Sequence, residues 1–263
     1  MTTNPSYRAE SMEGKPKGVA ESPTKAYNLL WIAPNFPASG KEFRQPISGG
    51  TIDNMLAIAE QNHSVDVRLW TDYKRMTQAQ KEWLERTFAD APNLSLIDLW
   101  TIPTYNQHGL FEKPDNSPNW QEDKHSLIWR QVDTARLLAS LQGDYDQSFY
   151  SDVDVTNLNV ESDEVQATFS KHGVIVSGGI DNGNAWYENG LFAFDRSRRG
   201  LFNLLYMETL KNVVDKSQNG YQTLVDFFGS NSEVRRLGII PKEVVFQARY
   251  LNHFDRIERE QIR

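Results

Sequence analysis

Compact apolar runs alternate with amphipathic stretches along most of the chain, and their order predicts an α/β fold. The run Tyr27-Asn-Leu-Leu-Trp-Ile-Ala33, closed by Pro34, reads as a buried first strand. After Gly49-Gly50, Thr51 is placed to cap a helix that carries Met55, Leu56, Ile58 and Ala59 on one side. Val65-Asp-Val-Arg-Leu-Trp70 alternates and predicts a second strand. Thr77-Gln-Ala-Gln80 has the capping-box spacing and opens a helix through Trp83, Leu84 and Phe88. Leu94-Ser-Leu-Ile-Asp-Leu-Trp100 predicts a third strand. Strands and helices that alternate across short turns form a nucleotide-binding layout, in which ligands gather at the carboxyl ends of the strands.

A long helical pattern follows over 126–142, with Ile128, Val132, Ala135, Leu138 and Ala139 on its core side and Gly143 as its stop. Phe149-Tyr-Ser-Asp-Val-Asp-Val155 then reads as a central strand. Gly173-Val-Ile-Val-Ser177 and Gly190-Leu-Phe-Ala-Phe194 predict two more strands, and 201–214 a helix. Residues 1–24 are rich in Ser, Pro, Gly, Lys and Glu and have few large apolar side chains, so they read as a flexible arm ahead of one domain over 25–263.

Composition narrows the chemistry. The 263 residues include no cysteine, which excludes disulfides, thiol catalysis and cysteine-ligated metals. With 28 Lys and Arg against 35 Asp and Glu the net charge is −7, which argues against a nucleic-acid partner. No apolar stretch reaches the roughly 18 to 20 residues needed to span a bilayer, and the amino terminus lacks the layout of a secretory signal, so a cytoplasmic protein is expected.

Asp152-Val-Asp154 is the sharpest chemical feature. Two carboxylates at spacing two on a strand's end share a side, where they can hold an oxygen-liganded cation such as Mn²⁺ or Mg²⁺ against a diphosphate. The pair Asp144-Tyr-Asp146 has the same spacing, but it follows the helix stop at Gly143 and reads as turn chemistry. Asp133 and Arg136 share a helix face, either as an intrahelical ion pair or as ligand-binding groups. Trp83, Trp100 and Trp129 read as core or interface aromatics. The histidines show no HxxxH or H-E-x-x-H spacing, and there is no nucleophile elbow, P-loop or dinucleotide fingerprint.

Taken in order, Trp31 in Leu-Leu-Trp-Ile, Asp133-Thr-Ala-Arg136, Tyr150-Ser-Asp-Val-Asp154 and Tyr187-Glu-Asn-Gly-Leu-Phe-Ala-Phe194 resemble GT-A glycosyltransferases of the DXD sugar-binding group. The likeness is nearer to the arginine N-acetylglucosaminyltransferase effectors of enteric pathogens than to the large clostridial glucosylating toxins, and it spans about residues 27–216. It implies a GT-A type nucleotide-binding fold with a central mixed, mostly parallel sheet flanked by helices. It also implies transfer of GlcNAc or Glc from a UDP-sugar donor, with a protein side chain as the acceptor. Trp31 would stack on the uracil ring, Asp133 and Arg136 would bond sugar hydroxyls and diphosphate, Tyr150 and Asp152 would contact ribose and sugar, and Asp154 would bind Mn²⁺ or Mg²⁺. The effector likeness implies delivery into a host cytosol without a cleavable signal peptide.

Glu188 and Asn189 fall near the expected donor sugar, where a carboxylate could orient or deprotonate the acceptor; Glu-Asn-Gly is also ordinary hairpin-turn chemistry. The effectors have a histidine on the preceding strand, where this chain has Ser177 before Gly178-Gly179. They end in a Ser/Trp tail, whereas this chain ends Tyr250-Leu-Asn-His-Phe-Asp-Arg256 and then a charged stretch, so Asn252 or His253 becomes the candidate further metal ligand. A glycan- or small-molecule-directed transferase, and a silent metal- or nucleotide-binding module, are the alternative readings.

Overall fold

The computed structural model describes residues 25–32, 47–106, 131–156, 158–181, 184–215, 217–218, 220–230, 245–246 and 249–250. The predicted arm over 1–24 lies outside them. Among the described residues nine strands and six α-helices order as β1 Lys25–Trp31, α1 Gly49–Gln61, β2 Asp66–Thr71, α2 Gln78–Phe88, β3 Leu94–Asp98, α3 over 131–140, β4 Gln147–Ser151, β5 Val155–Thr156, α4 Asp163–His172, β6 Val174–Asp181, β7 Asn184–Asp195, α5 Arg199–Val214, α6 Gly220–Ser230, β8 Val245–Phe246 and β9 Arg249–Tyr250.

The main sheet has seven strands in the order β3-β2-β1-β4-β7-β6-β8. The half from β3 to β4 is parallel, β7 runs antiparallel to both β4 and β6, and β8 is parallel to β6. The sheet is therefore mixed and mostly parallel, as the resemblance implies. β5 and β9 form a small separate antiparallel pair.

Successive side chains on a strand point to opposite faces, and the core divides accordingly. Leu30, Trp70, Tyr150 and Phe194 join one apolar layer with Leu138, Phe202 and Phe227. Their strand neighbours Leu29, Leu69, Phe149 and Ala193 join the other with Met55, Leu84 and Phe169. Each large apolar side chain so buried is worth about 1.5 to 3 kcal/mol. Strand β4, which leads into the aspartate pair, is also pinned by polar bonds. Asn28 donates to the carbonyl of Phe149 at 3.0 Å and to Ser148 at 3.1 Å, while Tyr27 and Ser151 share a 2.8 Å hydroxyl bond.

Local signals decide most boundaries. The capping box at Thr77 forms in full: its hydroxyl accepts from the Gln80 amide and the Gln80 side chain accepts from the Thr77 amide. Gly143, with φ +83°, stops α3 in the left-handed region where a Cβ is strained. Thr51 is not the cap of α1. Ser48 takes that place, Gly49 and Gly50 form the first turn, and Thr51 shares a 2.8 Å hydroxyl bond with Ser48. The third strand ends at Asp98, whose carboxylate accepts from the Trp100 amide and turns 99–101 into a single 3₁₀ turn. The first residues of the helix predicted over 126–142 lie outside the described residues, as does Trp129. No helix among the described residues is long and apolar enough to cross a membrane.

Candidate functional site

The carboxyl end of β4 gathers most of the predicted residues. Ser151 is the last strand residue, and Asp152 to Val155 form a turn closed by the Val155 amide on the Asp152 carbonyl at 3.1 Å. The aspartates therefore lie just beyond the strand rather than inside it, so strand alternation does not set the direction of Asp154. The ladder ends there because the chain leaves the sheet to make the short β5.

Helix α3 brings Asp133 and Arg136 over this turn. Arg136 is buried and lies 3.2 Å from the Asp133 carboxylate and 3.2 Å from that of Asp152, while donating to the Asn189 carbonyl at 2.6 Å. The intrahelical ion pair is formed, and the same guanidinium also reaches the carboxylate at the end of β4. The Tyr150 hydroxyl donates to the same Asp152 oxygen at 2.6 Å, and its ring stacks on Phe192 with centroids 4.9 Å apart. With its side chain 34% exposed, Asp152 keeps an edge open to a ligand. Burial, above all, pushes the Tyr150 hydroxyl well above its ordinary pKa and so keeps it a donor at neutral pH.

Asn189 completes the ring by donating its amide to Asp133 at 2.8 Å. Its neighbours Glu188 and Gly190 are mid-strand residues of β7, so the hairpin-turn reading of this segment does not hold. They occupy a bulge: Val176 pairs with Phe192 but Gly178 pairs with Tyr187, so 188–191 stand opposite Ser177 alone. Ser177, where the resembling effectors have histidine, accepts the Leu191 amide at 3.1 Å, and the Asp152 amide donates to the Gly190 carbonyl at 2.7 Å. The Glu188 side chain, Asn252 and His253 lie outside what the structure describes.

Asp133 is also capped from a second helix. The Gly220 amide at the start of α6 bonds its carboxylate, and a Cβ on Gly220 would sit 2.7 Å from Asp133 Cγ. Burial raises the Asp133 carboxyl above its ordinary value, with Arg136 acting against that shift. Trp31 ends β1, half-buried against the apolar layer of Met55 and Leu84, and its indole N–H is buried with no hydrogen-bond partner among the described residues. Trp83 is partly buried, and Trp100 donates to the buried Asp72 at 2.8 Å, which fits their reading as packing aromatics. The pair Asp144 and Asp146 follows the helix stop in sequence, each carboxylate 3.2 Å from the exposed Arg196.

Two carboxylates, Asp133 and Asp152, share one guanidinium here, and Asp154 follows Asp152 by two residues in the same turn. Such a site repels a diphosphate unless a cation supplies the missing charge, and its all-oxygen donors suit Mn²⁺ or Mg²⁺. No three His, Asp or Glu side chains converge among the described residues. A divalent ion bound through one or two carboxylates and completed by phosphate oxygens is the kind this donor set fits.

Sequence reasoning noted Ser177 only as a departure from the effectors, and it missed Gly220 and Asn54, whose amide bonds the backbone on both sides of Asp154. Asn54 had a signal: it falls with Ile58 on the apolar stripe of α1. Gly220 had none, because its partner is 87 positions earlier in sequence, on α3.

No family profile matches the chain, and no curated protein matches it in sequence. Its fold is similar to that of the solved structure titled PaToxG glycosyltransferase, with a TM-score of 0.52 and 16% identity over 82% of this chain and 74% of that one. A bacterial N-acetylglucosamine transferase, NleB, aligns at a TM-score of 0.46 and 13% identity over 86% of this chain and 92% of its own. The chain has a GT-A-type glycosyltransferase fold.

Proposed function

We propose that the chain is a metal-dependent glycosyltransferase that moves GlcNAc or Glc from a UDP-sugar to a protein side chain, acting as a bacterial effector or toxin inside a host cell. The observation that carries this reading is the bonded set Asp133, Arg136, Tyr150 and Asp152 beside Asp154, at the carboxyl end of a strand in this fold. Trp31 offers its ring to the uracil, Asp133 and Arg136 orient sugar hydroxyls and diphosphate, and Tyr150 and Asp152 contact ribose and sugar. Asp154, with Asn252 as a further ligand, holds Mn²⁺ or Mg²⁺. When bound, the ion stabilises negative charge on the departing UDP.

In transfer, the bond from the sugar's anomeric carbon to UDP breaks with its electron pair going to the phosphate oxygen. The acceptor nucleophile forms the new bond and gives its proton to Glu188. Asn189 contributes by holding Asp133 and Arg136 in register.

UDP-sugar hydrolysis in Mn²⁺ tests the reading. Asp152→Ala and Asp154→Ala should each abolish it, and EDTA should do the same to the wild type. Full activity in either variant overturns the metal site. Titration of UDP with no Mn²⁺-dependent binding would favour a silent module, and intact-mass analysis of host lysate incubated with UDP-sugars separates protein acceptors from glycans.

A further inference from the structure

We infer that Asn54 on α1 is the positioning residue of the aspartate turn, fixing where Asp154 presents its carboxylate. An asparagine on the apolar side of a helix is costly unless its amide is satisfied. Asn54 is only 8% exposed, and its Nδ2 donates to the carbonyls of Val153 and Val155, both at 2.8 Å. Both amide hydrogens are spent on the carbonyls of the two residues that flank Asp154. Both carbonyls lie past the end of β4, and Val153 and Val155 are themselves buried. The Asn54 amide therefore satisfies backbone acceptors that the main sheet does not.

Asn62, the residue that caps the carboxyl end of α1, makes an equivalent attachment to the next stretch of chain. Its Nδ2 donates to Leu158 at 3.0 Å and to Ile58 at 2.8 Å, and its Oδ1 accepts from the Val160 amide at 2.9 Å. The helix is stitched to 153–160 at two points, and only the Asn54 point borders the aspartates. Asn62 is thus a built-in control for the loss of buried bonds as such.

The inference rests on the proposed role of Asp154 as a metal ligand. Groups that orient a ligand typically change metal affinity by about 10- to 100-fold when removed. Mn²⁺ binding in the presence of UDP, read from the electron paramagnetic resonance signal of free Mn²⁺, tests it on folded protein well below each melting temperature. Asn54→Ala should weaken Mn²⁺ by at least about tenfold. Asn54→Ser, which keeps one donor, should fall between it and the wild type, and Asn62→Ala should bind like the wild type despite its lowered melting temperature. Wild-type affinity in both Asn54 variants, or an equal loss in Asn62→Ala, overturns the inference and leaves the metal site standing. Absence of binding in the wild type overturns the metal site itself, and the inference with it.

Discussion

The guanidinium of Arg136 stands 3.2 Å from the Asp152 carboxylate and so ties helix α3 to the end of β4, the strand where the parallel half of the sheet meets the antiparallel half. The same guanidinium serves Asp133 and the Asn189 carbonyl. Three elements thus depend on one cation. Arg136→Ala leaves Asp133 buried without its cation and should lower unfolding free energy by roughly 3 kcal/mol, measured by urea denaturation. Arg136→Lys keeps the charge but cannot reach all three partners, so it should recover only part of that loss.

Asp133 makes stability depend on pH in a direction opposite to that of an ordinary ion-paired carboxylate. Burial, the largest cause, and the neighbouring Asp152 raise its pKa above the ordinary 3.8, while Arg136 opposes them. The native state therefore holds the proton more tightly than the unfolded chain. Its contribution is full below pH 3.8 and is lost as pH rises through the folded value. Asp133→Asn cannot titrate, so the variant should gain on the wild type as pH rises from 3.8 to neutrality. Denaturation curves across that range check this, and a constant gap between the two proteins would refute it.

Gly220 is where α6 comes closest to the site. A Cβ there would overlap that of Asp133 and lie 2.8 Å from its carboxylate oxygen. Gly220→Ala should therefore cost about 1 to 3 kcal/mol, even though alanine favours a helix. The displaced carboxylate should also lose its hold on Asn189, so UDP-sugar affinity should fall with the melting temperature. Unchanged stability and affinity would mean that α6 moves aside freely.

Much of this was legible in the sequence because it is local. The Thr77 capping box, the Gly143 stop and the alternation that sends Leu29 and Leu30 to opposite layers each depend on residues close together in the chain. Asp133 with Arg136, and Tyr150 with Asp152, were legible for the same reason. Thr51 misled because two glycines look like a loop, yet Ser48 takes the N-cap position, its hydroxyl bonded to that of Thr51, and the helix tolerates both glycines in its first turn. The exit of Asp152 and Asp154 from the strand was not legible: Val153 and Val155 continue a β-favouring run, and only the tertiary attachment to Asn54 shows where the ladder stops.

Ser177 shows how a long-range contact shapes the site. Residues 188–191 bulge out of β7 opposite Ser177, and bulges of this kind re-aim side chains beside functional sites. The Ser177 hydroxyl accepts the Leu191 amide at 3.1 Å where the ladder is interrupted, at a position buried on all sides. Ser177→Ala removes that acceptor and should cost about 1 to 3 kcal/mol, the penalty for a buried donor left unsatisfied. Ser177→Thr keeps the hydroxyl and should restore most of it. Amide exchange at Leu191 reads the bond directly: faster in Ser177→Ala, near wild type in Ser177→Thr. If the bulge is what presents Glu188 and Asn189, UDP-sugar turnover should follow the same order as the Leu191 exchange rates. Turnover that is unchanged while Leu191 exchanges freely would separate the bulge from the chemistry.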